Sequence, residues 1–389
     1  MEFSIHIIVI LVILSASVSS NEQTIPKKVS RFTQRVLQLG FAVKDYDVVT
    51  EDGYILKVFN IPGDKTRPVL MTHGVIDSCE TYIVRENISL AINLAKLGYD
   101  VWLGNNRGNR YSRRHVYLDP DRDREFWDFS FHELGYYDLP AMIDFVLKQT
   151  KQKTLTAIGH SQGTTIFFVL CSVRPEYNDK IKILVALSPV CYLNNLKDAS
   201  YYFLTSMPVI DQFFTALGRE EFLGDDTVIG RGFRTFCSSK DNYNICANGI
   251  LFAIAGSDPE EMEPDFLPTI MAQYPTGTSR KNAVHISQVG MRRSFSEFDY
   301  TWRNMDIYNS TVPPEYNISK MTTKVAIITG RNDGLSTIED VDMLSKKLPN
   351  VVEYIISDHE KFNHIDSVWG RNMDKYLLPH VFEIMYKYS

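Results

Sequence analysis

Ser161 stands in Gly159-His160-Ser161-Gln162-Gly163, a serine with a glycine two positions away on either side. A serine hydroxyl attacks carbonyl carbon only when a turn exposes it and a neighbouring base takes its proton. The spacing G-x-S-x-G does the first, provided a strand precedes it and a helix follows. Residues 154–158 are an apolar strand-like run, and residues 166–170 are an apolar stretch suited to a helix. At ordinary Gly and Ser usage, about 0.1 chance matches are expected in a chain this long, so the flanking elements carry much of the weight. His160 adjoins the serine, but its ring is expected to point away along the turn, and it is assigned no part in the chemistry.

The base and its carboxylate partner must then come from later in the chain, in the order Ser, Asp or Glu, His. Asp333, in Gly330-Arg331-Asn332-Asp333, follows the apolar run 324–329, where the carboxyl end of a late strand belongs. The alternative for Asp333 is an Asx turn opening a helix near Ser336. Asp340 and Asp342 are rivals, but both fall inside that helix. Two histidines follow the last strand-like run, 351–356: His359 among charges, and His364 in Phe362-Asn363-His364-Ile365-Asp366. Spacing alone does not choose between them. A developing oxyanion needs two backbone N–H donors. Gln162, after the serine, supplies one, and Val75, in His73-Gly74-Val75 after an early strand, is the candidate for the other.

Something must hold these distant residues together. Residues 46–61 alternate around Glu51-Asp52-Gly53 as a hairpin does. Short β-branched runs at 68–72, 99–103, 154–158, 182–187, 324–329 and 351–356 suit strands buried on both faces of a parallel sheet. Helical spacing at 89–97 and 139–148 falls between the early runs. The alternation predicts an α/β fold, a mostly parallel doubly wound sheet. It breaks at 192–317, an aromatic and largely helical stretch, and then resumes. The expected organisation is core from 21–191, an inserted cap with lid over 192–317, and core again over 318–389.

Composition narrows the remaining classes. A net charge of -6 argues against nucleic-acid binding. Residues 7–14 are apolar and 15–20 small, with Val18 and Ser20 where a signal peptidase reads, although Met1-Glu2-Phe3-Ser4 lacks a basic residue. Residues 1–20 thus read as a cleaved export signal. The run is too short to span a bilayer, and no transmembrane segment is expected in the mature chain. Export permits disulfides. Of five cysteines, Cys237 and Cys246 flank a polar turn and are the expected pair, while Cys171 and Cys191 follow apolar runs as buried thiols. Export also gives meaning to the glycosylation sequons at Asn87, Asn309 and Asn317.

Longer motifs now extend the comparison. The chain resembles the acid lipases, the group that includes gastric and lysosomal acid lipase and insect lipase-like members. The resemblance runs through His73-Gly74-Val75-Ile76-Asp77-Ser78, Gly98-Tyr99-Asp100-Val101-Trp102-Leu103-Gly104-Asn105-Asn106-Arg107-Gly108-Asn109 and Ser112-Arg113-Arg114-His115. It continues in Phe126-Trp127-Asp128-Phe129-Ser130-Phe131, Tyr137-Asp138-Leu139-Pro140-Ala141, residues 159–165, Pro275-Thr276-Gly277-Thr278-Ser279 and Asn363-His364-Ile365-Asp366.

The resemblance implies an α/β-hydrolase fold and a triad of Ser161, Asp333 and His364, favouring His364 over His359. It implies Val75 and Gln162 as oxyanion donors and a cap disulfide matching Cys237–Cys246. It implies hydrolysis of neutral-lipid esters, triacylglycerols and possible steryl esters, at a lipid–water interface, without metal or organic cofactor. Secretion is implied, with lysosomal delivery as the alternative. A non-catalytic lipid carrier on the same scaffold is the rival reading. Two departures stand out: Gly334-Leu335-Ser336-Thr337 replaces an apolar residue followed by Leu-Ala-Asp, and Ala255 lies close to the place of the family's third cap cysteine.

Overall fold

Val, Ile and Leu crowd into runs of five to nine residues because such side chains fit a pleated surface covered on both sides. In the computed structural model, which describes residues 30–225 and 227–389, these runs become eight strands. They are β1 (Lys44–Val49), β2 (Ile55–Ile61), β3 (Asp64–Thr72), β4 (Tyr99–Gly104), β5 (Leu155–His160), β6 (Ile181–Leu187), β7 (Val325–Thr329) and β8 (Val351–Ile356). The sheet order is β1-β2-β4-β3-β5-β6-β7-β8. The β1/β2 hairpin is antiparallel, as is β2 against β4; every other pairing is parallel. The export signal read at 1–20 lies outside the described residues.

Both faces of the sheet are covered, and alternate side chains serve opposite cores. Val69, Met71, Val101, Ile158 and Val185 pack with Leu90, Leu94, Val381 and Ile384 on one side. Leu70, Trp102, Ala157 and Leu184 pack with Met142, Val146, Phe167 and Leu170 on the other. The expected helices fall at Leu90–Lys96, Leu139–Thr150 and Gln162–Val173. One expectation fails in detail. β8 is an edge strand, and all six of its residues are only partly covered. Its apolar side chains still serve both faces, Val352 and Ile355 against one core and Val351 and Tyr354 against the other, but its outer edge has no neighbouring strand to complete the cover.

Between β6 and β7 the chain leaves the sheet. Helices at Asp198–Thr205, Met207–Ala216, Val228–Cys237 and Arg280–Arg292 lie in this excursion, with a two-residue ribbon pairing Glu221–Phe222 with Thr278–Ser279. Cys237 and Cys246 form the disulfide there, with Cα atoms 5.7 Å apart. Cys79, Cys171 and Cys191 are free and buried. The double substitution Cys237→Ala/Cys246→Ala is expected to lower unfolding free energy in urea by about 2.5–3 kcal/mol. That is the chain-entropy value for so short a loop, and an unchanged midpoint would contradict it. Among the described residues, no helix is long and apolar enough to cross a membrane.

Candidate active site

Ser161 sits between β5 and the helix Gln162–Val173 with φ 53° and ψ -124°, a strained conformation for a side-chain-bearing residue. Its flanking glycines make the turn possible. A Cβ on Gly159 would lie 2.7 Å from the Gly163 carbonyl oxygen, and one on Gly163 would lie 2.3 Å from that of Thr72. Bare positions at 159 and 163 therefore let the helix close on β5 and on the end of β3 respectively.

The elbow meets two loops from the far end of the sheet. His364 Nε2 lies 2.8 Å from Ser161 Oγ. His364 Nδ1 lies 2.9 Å from Asp333 Oδ2 and 3.1 Å from Oδ1. All three residues are buried. Asp333 Oδ1 also accepts from the N–H groups of Leu335 and Ser336, at 2.8 and 2.7 Å. The Asx turn and the carboxylate facing a histidine are thus one arrangement rather than rivals. Burial pushes the Asp333 carboxyl up, but the His364 charge, its hydrogen bond and the two N–H donors outweigh this, holding it below its usual value.

The other candidates separate cleanly. His359 is tied to Asp258 and stacks on Tyr376 with ring centroids 4.6 Å apart. Asp340 is occupied by Asn195, whose backbone and side-chain nitrogens donate to it at 3.1 and 2.8 Å. Asp342 accepts from the Tyr354 hydroxyl. The loop bearing His364 is closed by its own neighbours: Asn363 N–H donates to Asp366, and Ile365 and Asp366 N–H donate to Asn363 Oδ1.

Several supports escaped the reading of the sequence. His160 does not point away: its ring lines the cavity above Ser161, and its Nε2 lies 2.8 Å from the His364 carbonyl. His73 fixes the loop carrying Val75. Its Nδ1–H donates to the Gly74 carbonyl, while Nε2 accepts from Asn106 N–H and the Asn109 amide. Burial lowers its pKa to about 4, keeping the ring neutral for both roles. Asn282 donates from the excursion to the Gln162 side chain at 2.7 Å.

Arg107 anchors the Asn106–Asn109 turn, bonding Asp138 at 2.7 Å and Asp52 at 2.6 and 2.8 Å. Burial raises the Asp138 pKa to about 6 although Arg107 pulls it down. Arg107→Met would leave that carboxyl buried and unpaired. The expected cost is about 3–5 kcal/mol of stability, read by urea denaturation; a loss under 1 kcal/mol would show the pair to be dispensable.

Two apolar cavities meet at Ser161. The larger, about 180 Å³, is shared by His364 and by Phe203, Met207, Phe222, Leu251 and Trp369. The smaller, about 50 Å³, lies beside Gln162 and is walled by Phe131, Cys191, Val289 and Phe295. Most of the roof over both comes from the excursion between β6 and β7. No cluster of His, Cys, Asp and Glu suited to a metal ion occurs among the described residues.

A strained serine turn at the carboxyl end of a mostly parallel sheet, joined to a histidine and a carboxylate, defines the chain as an α/β hydrolase. A profile described as alpha/beta hydrolase fold matches residues 67–219, and one described as partial alpha/beta-hydrolase lipase region matches residues 32–86. Lipase 1 of Drosophila melanogaster is 38% identical over 359 residues, covering 90% of this chain and 79% of that one. Gastric triacylglycerol lipase of Rattus norvegicus is 37% identical, covering 89% of each chain. That of Homo sapiens is 35% identical, covering 89% of this chain and 88% of that one. The chain therefore belongs to the lipase family that contains the gastric triacylglycerol lipases, and it is a carboxylic ester hydrolase.

Among solved structures, a thermophilic esterase from Thermogutta terrifontis aligns with TM-score 0.53 at 11% identity, over 88% of this chain and 98% of that one. An epoxide hydrolase from Vigna radiata aligns with TM-score 0.52 at 16% identity, covering 89% and 98%. The fold is common to both chemistries, so the reaction must be argued from the site.

Proposed function

We propose that this protein is an exported lipase cleaving triacylglycerol esters through an acyl-enzyme on Ser161. The observation that carries the reading is the 2.8 Å contact between Ser161 Oγ and His364 Nε2 beneath an apolar roof. His364 takes the Ser161 proton as Oγ bonds to the ester carbonyl carbon. The N–H groups of Val75 and Gln162 receive the oxyanion. The carbon–oxygen bond to the alcohol then breaks, and the proton on His364 goes to the departing oxygen. Water, deprotonated in turn by His364, releases the fatty acid and restores the serine. Asp333 holds the imidazole and offsets its charge.

The leaving alcohol must lie on the His364 side, so the larger cavity would receive the part of the diacylglycerol next to the cleaved bond and the smaller the start of the cleaved acyl chain. In this reading residues 192–317 are the cap, and part of it moves as a lid to admit lipid at an interface. Export is supported by the signal-like residues 1–20 and by the exposure of Asn87, Asn309 and Asn317. Hydrolysis of tributyrin and triolein, compared with cholesteryl oleate and a peptide ester, tests the substrate class. Glyceride cleavage is expected, and cleavage of the peptide ester alone would overturn it.

A further inference from the structure

An imidazole can shuttle protons only if its backbone is held still, and two groups from separate elements hold that of His364. The Ala255 carbonyl accepts from the His364 N–H and from the Gly334 N–H, both at 3.1 Å. One oxygen thereby ties the loop bearing His364 to the loop bearing Asp333. On the opposite side, the His364 carbonyl accepts from His160 Nε2 at 2.8 Å, and from the Ser367 hydroxyl at 3.3 Å.

A carbonyl can only accept, so His160 carries its proton on Nε2 and leaves Nδ1 as a bare acceptor. That Nδ1 is buried and has no hydrogen-bond partner among the described residues. A buried polar atom left unmet is unfavourable, so packing alone does not account for a histidine here. The arrangement serves the reaction in a further way. The rings of His160 and His364 lie 5.2 Å apart, and a cationic donor at that distance would oppose the imidazolium formed during acyl transfer. A neutral donor does not.

We propose that His160 is a positioning residue: its Nε2–H, acting with the Ala255 carbonyl, clamps the His364 backbone so that the imidazole stays between Ser161 and Asp333. Burial lowers the His160 pKa to about 3, so the ring keeps the neutral form the role requires. The inference rests on the proposed roles of Ser161 and His364.

His160→Gln, His160→Asn and His160→Leu test it in the full chain, with p-nitrophenyl butyrate as substrate. A glutamine amide nitrogen reaches as far along the side chain as Nε2, whereas an asparagine amide falls one bond short. The Asn and Leu variants are expected to lose about 10- to 100-fold, mainly in kcat, as misplacement near 1 Å does. Their downfield proton resonance for the His364–Asp333 bond is expected to broaden or vanish. The Gln variant is expected to recover kcat to within about fivefold and to keep that resonance. Wild-type kcat in the Asn and Leu variants, or a Gln variant as poor as Asn, would overturn the proposal. Should the Leu variant not fold, the Gln and Asn pair decides. Ser161→Ala in parallel separates the two ideas, because retained activity there would remove the underlying reading instead.

Discussion

Ser161→Ala is expected to lower kcat for ester hydrolysis by about 10⁶-fold, the scale seen when a serine nucleophile is removed from an acyl-transfer site. The loss should fall on kcat, because the apolar cavities around the serine remain and substrate still enters them. A lipid-like phosphonate should add one covalent equivalent to the wild-type chain and none to the variant, as intact mass would show. This result also separates an enzyme from a lipid carrier, since a carrier would bind without reacting. Stoichiometric labelling of the Ala variant would place the nucleophile elsewhere.

Asp333→Asn comes second, with an expected loss of about 10⁴-fold in kcat. The geometry gives the reason. Asp333 Oδ1 accepts from two backbone N–H groups, of Leu335 and Ser336. An asparagine would keep its carbonyl oxygen there and turn its NH₂ toward His364 Nδ1. That group would then have to accept, placing the imidazole proton on Nε2, where it can no longer take one from Ser161. The fold should survive, since the turn bonds are kept. A variant retaining a tenth of wild-type kcat would mean that the carboxylate neither sets the tautomer nor steadies the cation. Thermal unfolding close to that of the wild type is the accompanying control.

What the sequence disclosed and what it withheld follow from how local each signal is. The hairpin, the parallel strands and the Ser161 elbow each rest on contiguous residues, and all are found near their expected positions. The position of Asp333 just past a late strand was legible because it depends on that one strand end. His359 and His364 were not separable by spacing, because the choice depends on Asp258 and Tyr376, which capture His359 from remote parts of the chain. The same limit explains His160. Its neighbours in sequence give no hint that the carbonyl of a residue 204 positions away lies within reach. The Asn282 bond to Gln162 is equally remote, arising from a helix inside the aromatic excursion. The Asn105-Asn106-Arg107-Gly108-Asn109 motif was visible as a string, but its task of propping His73 appears only in three dimensions.

The pairing of β6 with β7, from Leu184 against Val325 to Leu187 against Ile328, sets the exit and re-entry points of the long excursion on neighbouring strands. Doubling the length of a flexible connection raises its closure cost by only about 0.6 kcal/mol. Extra helices grafted into this segment, or turns trimmed from it, would therefore leave the strand alignment beneath unchanged. Substrate choice could diversify here by insertion and deletion while the reacting groups kept their places, provided each newcomer still offered a carbonyl where Ala255 does.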